Sequence, residues 1–533
     1  MRRILKRNLK HGLCALALSS TLLSGPLLAQ GAAKAAGATN SSAPKRPNII
    51  MILSDDNSVP HDGCHPNENT RANNVTPNFE AFAAQSMCFD RAYSTSPQCA
   101  PSRGSIFAGR NPMDIGITRF GQPARLDVRY FSDILRASGY WVGLDGRNHH
   151  LAGREGDPPH VKKVLEETGL SRIEDRFDYV NVFGTKTMTP AALTSQVSQT
   201  LNKVPPQKPF FLYFGFSTPH REFVSDHRNI DSSKLKLPPD WPDLPAVRED
   251  YAAMLSDVRT MDGQFGALMA MLKARGLADN TIVVFMGDNG ESMYRGKGTL
   301  YERGNHVPLI VRWPGVVKPG SRNASLVSGI DLAETFLDAA GLKPDPHMTG
   351  VSLVPLLKGQ KDGGHDYVFS ERGEHPGSIT VSEGVDYQRS ITGRRYKLIY
   401  NGQPNQPYSP VDQGGRFLAP ANKQKASADV LPAVARTDDA RALGAWGAIV
   451  RAHEAKTLSP QFNRLYFQRP RPIFELYDLQ SDPYEFDNLA GKPELKATEI
   501  TLREELDKWM VLSADFLALA TDAYRETPDP TQK

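Results

Sequence analysis

Asn48-Ile49-Ile50-Met51-Ile52-Leu53-Ser54-Asp55-Asp56 holds an unbroken apolar run that stops at a serine and two adjacent acids. A short run of this kind, closed by polar residues, reads as a buried strand followed by a loop. Working outward, Tyr140–Leu144, Phe210–Phe216, Thr281–Met286 and Val307–Arg312 read the same way. Helical spacing separates them. Phe79, Phe82, Ala83 and Met87 predict a helix over 77–87, started by Thr76-Pro77. Phe131, Ile134 and Leu135 predict another, closed by Gly139. Leu255, Val258, Met261, Phe265, Leu268 and Leu272 mark a long amphipathic helix over 249–275. Strands alternating with helices predict an α/β fold with a large mixed, mostly parallel sheet sandwiched by helices.

In such sheets ligands gather beyond the carboxyl ends of the strands. Four predicted strands end there in polar clusters: Asp55/Asp56, Gly146 to His150, His220, and Asp288/Asn289. Adjacent carboxylates repel, and a bound cation relieves the repulsion. Asp55, Asp56, Asp288 and Asn289 form an all-oxygen set suited to Ca²⁺ or Mg²⁺ rather than Zn²⁺. Solvated loop acids are the plainer alternative for either pair alone; their shared position at strand ends favours the metal.

Past Leu357 a polar Lys-Gly-Gln-Lys-Asp-Gly-Gly stretch reads as a linker. Short strands at 367–370, 389–392 and 396–400 and a closing helix over 494–518 predict a smaller C-terminal α+β domain with an antiparallel sheet. The predicted divisions are 46–357 and 366–524. Residues 1–29 precede them as an export signal, with five basic side chains in the first ten residues and an apolar run from Leu13 to Leu23. That run is too short for a comfortable membrane span. Residues 30–45, rich in Ala, Gly and Ser, read as a flexible leader.

The formal charge of +4 falls to −1 once residues 1–29 are set aside. A large nucleic-acid footprint has no support in that balance. Hydrophobic residues at 40% of 533 argue against a disordered chain. Cys14 leaves with the signal, so Cys64, Cys88 and Cys99 make an odd count for an exported protein.

Cys99 stands in Ser96-Pro97-Gln98-Cys99-Ala100-Pro101-Ser102-Arg103-Gly104, followed by Gly109-Arg110. This stretch resembles the Cys-x-Pro-Ser-Arg signature of type I sulfatases, in the alkaline-phosphatase-like superfamily. Arg46 to Asp56, Thr76-Pro77-Asn78-Phe79, Gly287 to Gly290, Gly296 to Glu302, Val307 to Gly315, Tyr396 to Ile399 and Glu475 to Leu479 fit the same family, over about residues 46–510. One segment departs. Where many relatives have Gly-Lys-x-His-Leu, this chain has Gly146-Arg147-Asn148-His149-His150-Leu151. The lysine's charge is kept, but as a planar fork, and His149 and His150 compete for the family histidine.

The resemblance implies that Cys99 is oxidised to formylglycine by a dedicated generating or maturase enzyme. Cys64 and Cys88 would then remain as a pair by parity alone. It implies Ca²⁺ or Mg²⁺ held by Asp55, Asp56, Asp288 and Asn289, with residue 99 at the same centre. A hydroxyl of the hydrated aldehyde would attack sulfur, with Arg103 holding the diol and Arg147, Lys297 and His220 neutralising sulfate oxygens. His220 or Lys297 would protonate the leaving oxygen, and His149 or His150 would release sulfate. The expected function is a periplasmic or secreted sulfatase acting on a sulfate ester or sulfamate of a sulfated carbohydrate or small molecule, delivered by the export machinery, with no nucleic-acid partner and no stable membrane span. The alternatives are a phosphonate or phosphodiester hydrolase of the same superfamily, and a non-catalytic binder of sulfated glycan.

Overall fold

The computed structural model describes residues 46–517 except 124, 148–158, 169–175, 362, 376–383, 409 and 413–443. The opening run forms β1 (Asn48–Ser54), in the interior of an eight-stranded sheet. From one edge the order is β4 (Tyr179–Val182), β3 (Trp141–Gly146), β5 (Phe210–Gly215), β1, β6 (Thr281–Gly287), β7 (Leu309–Arg312), β2 (Met87–Tyr93) and β8 (Ser321–Ser328). Neighbours are parallel except on either side of β7, which runs against both β6 and β2.

β1 reads as a continuous apolar run because both its faces are covered. Ile49, Met51 and Leu53 enter a core shared with Ile106 and Phe107 of the Cys99–Ala108 helix and with Leu332 and Phe336 of the Asp331–Ala339 helix. Ile50 and Ile52 enter a second core on the opposite face. There they join Phe79 of the Pro77–Ala83 helix and Leu255, Val258 and Phe265 of the Pro245–Ala274 helix. Each such side chain contributes roughly 1.5–3 kcal/mol by leaving water. Rigid anchorage of β1 on both faces is what holds Asp55 and Asp56 in place.

The sequence-based boundaries need some correction. The helix expected over 77–87 stops at Ala83, where Ser86 turns back to donate its Oγ–H to Phe82 O at 2.7 Å. Met87 instead starts β2. Strands β2 and β8 escaped the periodicity reading, since β8 opens with the polar residues Ser321, Arg322 and Asn323. The long helix starts at Pro245 rather than 249, with proline in its first turn, where a missing N–H costs nothing. The closing helix spans Lys496–Leu512, not 494–518.

A four-stranded antiparallel sheet follows, in the order β12 (Phe474–Asp478), β11 (Tyr396–Asn401), β10 (Val385–Thr392) and β9 (Val368–Glu374). The Lys496–Leu512 helix covers it with Leu502, Leu506 and Trp509. Both sheets belong to one compact unit beginning at Arg46. Lys397 of β11 reaches across to Glu302 at 2.7 Å, and Arg91 of β2 donates to Gly393 O at 2.7 Å. The predicted linker lies between the Val354–Leu357 helix and β9. The predicted signal and leader lie outside the described residues. Among the described residues no helix is long and apolar enough to cross a membrane.

Cys64 and Cys88 are joined in a disulfide that spans 24 residues and ties the loop after β1 to β2. Closing a loop of this length stabilises the fold by about 3 kcal/mol in the chain-entropy view. Cys88→Ala, with Cys64→Ala to remove the partner thiol, is expected to lower unfolding stability by about that amount. Urea denaturation of the double variant measures it.

Candidate active site

Beyond Ser54 the chain stays tied to its neighbouring strands. The Asp55 N–H donates to Thr218 O after β5 (3.1 Å), and the Asp288 N–H after β6 donates to Ser54 O (3.2 Å). Three loop starts are thereby laced together at the carboxyl edge. Asp56 takes φ +64°, a left-handed conformation that aspartate tolerates better than most residues. Its N–H donates to Asp288 Oδ1 at 3.0 Å. Asp55, Asp56 and Asp288 are all fully buried.

Cys99 opens the Cys99–Ala108 helix and places its Sγ 3.3 Å from Asp55 Oδ1 and 3.6 Å from Asp56 Oδ1. The next turn supplies two fixings. Ser102 Oγ donates to the Asp288 carbonyl at 2.5 Å. Arg103 Nε meets Asp288 Oδ2 at 2.8 Å, Nη2 lies 3.4 Å from Asp55 Oδ1, and Nη1 donates to the Tyr213 hydroxyl. Arg147, immediately after β3, brings Nε to 2.5 Å from Asp55 Oδ2 and keeps a little exposure. Lys297 Nζ lies 2.8 Å and 2.9 Å from the two oxygens of Asp56. His220 Nε2 lies 3.8 Å from Asp56 Oδ2, while its Nδ1 bonds to the Arg221 carbonyl.

Burial sets the electrostatics. It pushes the Asp56 carboxyl up to about 7, against the pull of Lys297 and with the push of Asp55. It raises Asp288 as well, with Arg103 opposing. Burial and the nearby Asp288 carboxylate hold the Cys99 thiol well above its ordinary range. Burial disfavours the Lys297 ammonium, but Asp412 and Asp56 hold its pKa well above the ordinary value. Burial, Lys297 and Arg147 together keep His220 neutral.

Ligand atoms of Asp55, Asp56, Cys99 and Asp288 lie within 4.8 Å of one another. Asn289 donates Nδ2–H to Asp56 Oδ1 at 2.9 Å, yet its own buried Oδ1 has no hydrogen-bond partner among the described residues. An orphaned amide oxygen beside three carboxylates fits a hard divalent cation. The donor set therefore fits the metal.

Of the residues singled out in the sequence, Asp55, Asp56, Cys99, Arg103, Arg147, His220, Asp288, Asn289 and Lys297 converge here. His149 and His150 lie outside the described residues. Two participants gave no signal in the sequence. Tyr213 hides in the apolar run of β5. Asp412 comes from an unpatterned stretch, yet its Oδ2 lies 2.7 Å from Lys297 Nζ and 3.6 Å from His220 Nε2.

Gly215, the last residue of β5, allows the close approach behind Arg147. A Cβ there would lie 2.2 Å from the Arg147 carbonyl oxygen and 2.8 Å from the Tyr213 hydroxyl. Gly215→Ala is expected to displace both and reduce kcat/KM about 100-fold, as ångström-scale misplacement of site groups does. Steady-state kinetics beside a thermal melt separates this from unfolding.

The sulfatase family model matches residues 47–342, more than half of the chain. This chain belongs to the sulfatase family. A second model, for the C-terminal part of N-sulphoglucosamine sulphohydrolase, matches residues 290–412. The sulfatase is 28% identical over 524 residues to human N-sulphoglucosamine sulphohydrolase, covering 90% of this chain and 93% of that one. It is 26% identical over 522 residues to an ulvan-active sulfatase of Formosa agariphila, covering 90% and 77%. Its fold matches a solved structure in complex with its substrate D-glucosamine-2-N,6-O-disulfate, with TM-score 0.62, 18% identity and coverage of 90% and 100%. The phosphonate monoester hydrolase of Silicibacter pomeroyi shares the fold too, with TM-score 0.59, 20% identity and coverage of 88% and 96%. The sulfatase is a sulfuric ester hydrolase.

Proposed function

We propose that this sulfatase works outside the cytoplasm, in the periplasm or beyond, and removes sulfate from a sulfated glycan, as an ester or a sulfamate, with residue 99 converted to formylglycine and Ca²⁺ held by Asp55, Asp56, Asp288 and Asn289. The observation that carries it is Cys99 itself. A fully buried thiol among three carboxylates is held in its neutral form, yet Arg103, Arg147, Lys297 and His220 are gathered around it. The site is organised for an anionic substrate and needs a nucleophile other than sulfur. Formylglycine would supply a hydrated aldehyde hydroxyl at that position. The cation would add Lewis acidity for a sulfate oxygen.

The chain's own groups divide the remaining work. Arg103, locked between Asp288 and Asp55, orients residue 99. The Arg147 guanidinium and Lys297 ammonium neutralise the charge of sulfate oxygens. The Nδ1 of His220 faces a backbone carbonyl and therefore carries the ring proton of the neutral form, leaving Nε2 as an acceptor. That favours Lys297 over His220 as the donor of the proton to the leaving oxygen.

The glycan assignment is supported by the relatives named for N-sulphoglucosamine and for ulvan. Export is supported by the basic-then-apolar start of the sequence and by the Cys64–Cys88 disulfide, which suits an oxidising compartment. The export machinery and a formylglycine-forming enzyme are the implied partners. Peptide mass spectrometry across residue 99, on protein made with its own first 29 residues and recovered from the periplasm, tests modification and location together. An aldehyde at residue 99 in the periplasmic fraction is expected. An intact thiol from a host that modifies other sulfatases would sink the nucleophile. Aryl sulfate, sulfated oligosaccharides and phenyl phosphonate are then compared, and faster phosphonate than sulfate turnover would move the assignment to the phosphonate hydrolases.

A further inference from the structure

Lys297 is shared between two carboxylates. Its Nζ lies 2.8 Å and 2.9 Å from the oxygens of Asp56 and 2.7 Å from Asp412 Oδ2. Asp56 belongs to the oxygen set assigned above to a divalent cation. An ammonium lying on both oxygens of Asp56 competes with that cation for the same lone pairs. Asp412 offers the ammonium a second seat. It is 2% exposed, and its Oδ2 also faces His220 Nε2 at 3.6 Å.

The pairing is built into the backbone on both sides. Gly298, next to Lys297, has φ +79°, and a Cβ there would lie 2.7 Å from Val411 Cγ1. Asp412 itself sits at φ +59°. Two consecutive residues of one loop thus meet two consecutive residues of the other: Lys297 with Asp412 by charge, and Gly298 with Val411 by packing. A solvated surface acid has no such support.

We propose that Asp412 is a positioning residue that keeps hold of the Lys297 ammonium when an entering cation displaces it from Asp56, so that Asp56 can ligate the cation. This rests on reading Asp55, Asp56, Asp288 and Asn289 as a cation site. Asp412→Asn keeps the shape and removes the charge. Lys297 then settles on Asp56, and an entering cation must displace it.

The test is Ca²⁺ titration calorimetry on the metal-free full-length protein and its Asp412→Asn, Lys297→Gln and doubly substituted variants. Asp412→Asn is expected to weaken Ca²⁺ binding at least tenfold. Lys297→Gln is expected to bind at least as tightly as the parent, and the double variant to match Lys297→Gln, since no ammonium remains to be held. Parent protein that binds no Ca²⁺ would overturn the cation site itself. Parent that binds normally while Asp412→Asn binds equally well would overturn only the role of Asp412. Equal weakening by Asp412→Asn with and without Lys297 would show a through-space charge effect and also overturn it. If Asp412→Asn fails to fold, Gly298→Ala, which drives a Cβ against Val411, is expected to weaken Ca²⁺ binding in the same sense, and unchanged affinity there counts against the proposal.

Discussion

Cys99→Ala is expected to abolish sulfate ester hydrolysis, with kcat/KM falling by at least about 10⁴-fold, the scale on which nucleophile removal acts. Among the described residues no other thiol is available as a substitute, because Cys64 and Cys88 are bound to each other. The surrounding architecture does not depend on the thiol. Arg103 still meets Asp288 and Asp55, and Ser102 still holds the Asp288 carbonyl. The variant is therefore expected to fold like the parent, so a thermal melt should be almost unmoved while turnover vanishes. Residual activity within tenfold of the parent would place the nucleophile elsewhere.

Arg103→Met carries the second large effect, on stability as well as turnover. The guanidinium is completely buried and touches Asp288 and Asp55. Methionine fills much of its volume but leaves those carboxylates without that counter-charge. Removing one partner of a buried charge pair costs about 3–5 kcal/mol. Metal-free Arg103→Met is expected to lose about that much stability in urea denaturation. Added Ca²⁺ should recover part of it, because a bound cation stabilises the native state by mass action and restores positive charge to the cluster. Turnover should fall by about 10²–10³-fold, the range for loss of one oriented donor. A metal-free variant within 1 kcal/mol of its parent would mean that Asp55 and Asp288 are not both ionised in the native protein.

Much of this centre was legible in the sequence because its parts follow strands of strong pattern. Asp55/Asp56 and Asp288/Asn289 come directly after β1 and β6, whose burial on both faces leaves almost no polar residue until the strand ends. Cys99 and Arg103 were legible through the resemblance of Cys99-Ala100-Pro101-Ser102-Arg103 to the sulfatase signature, not through any local periodicity. Strand β8 was not, since its first half faces partly outward and carries Ser321, Arg322 and Asn323. Met87 shows the other failure. It continues the helical spacing of Phe79, Phe82 and Ala83, but strand pairing with β7 and β8 overrides that local preference. Asp412 could not be read at all. Its role comes from one ion pair between loops distant in the chain, and a single aspartate in an unpatterned segment carries no periodicity.

With residue 99 converted to formylglycine as proposed, the complete burial of Cys99 would also set an order of events during biogenesis. An enzyme that oxidises this side chain cannot reach it once the Cys99–Ala108 helix has docked against Asp55 and Asp288. The proposed conversion would therefore belong to the emerging or still unfolded polypeptide, ahead of closure of the sheet. The same window is hazardous, because three thiols lie close together in the chain and only the Cys64–Cys88 pairing is native. Early conversion of Cys99 would remove a nearby competitor able to capture either partner in a wrong bridge, so the chemistry that arms the enzyme would also proofread its cross-link.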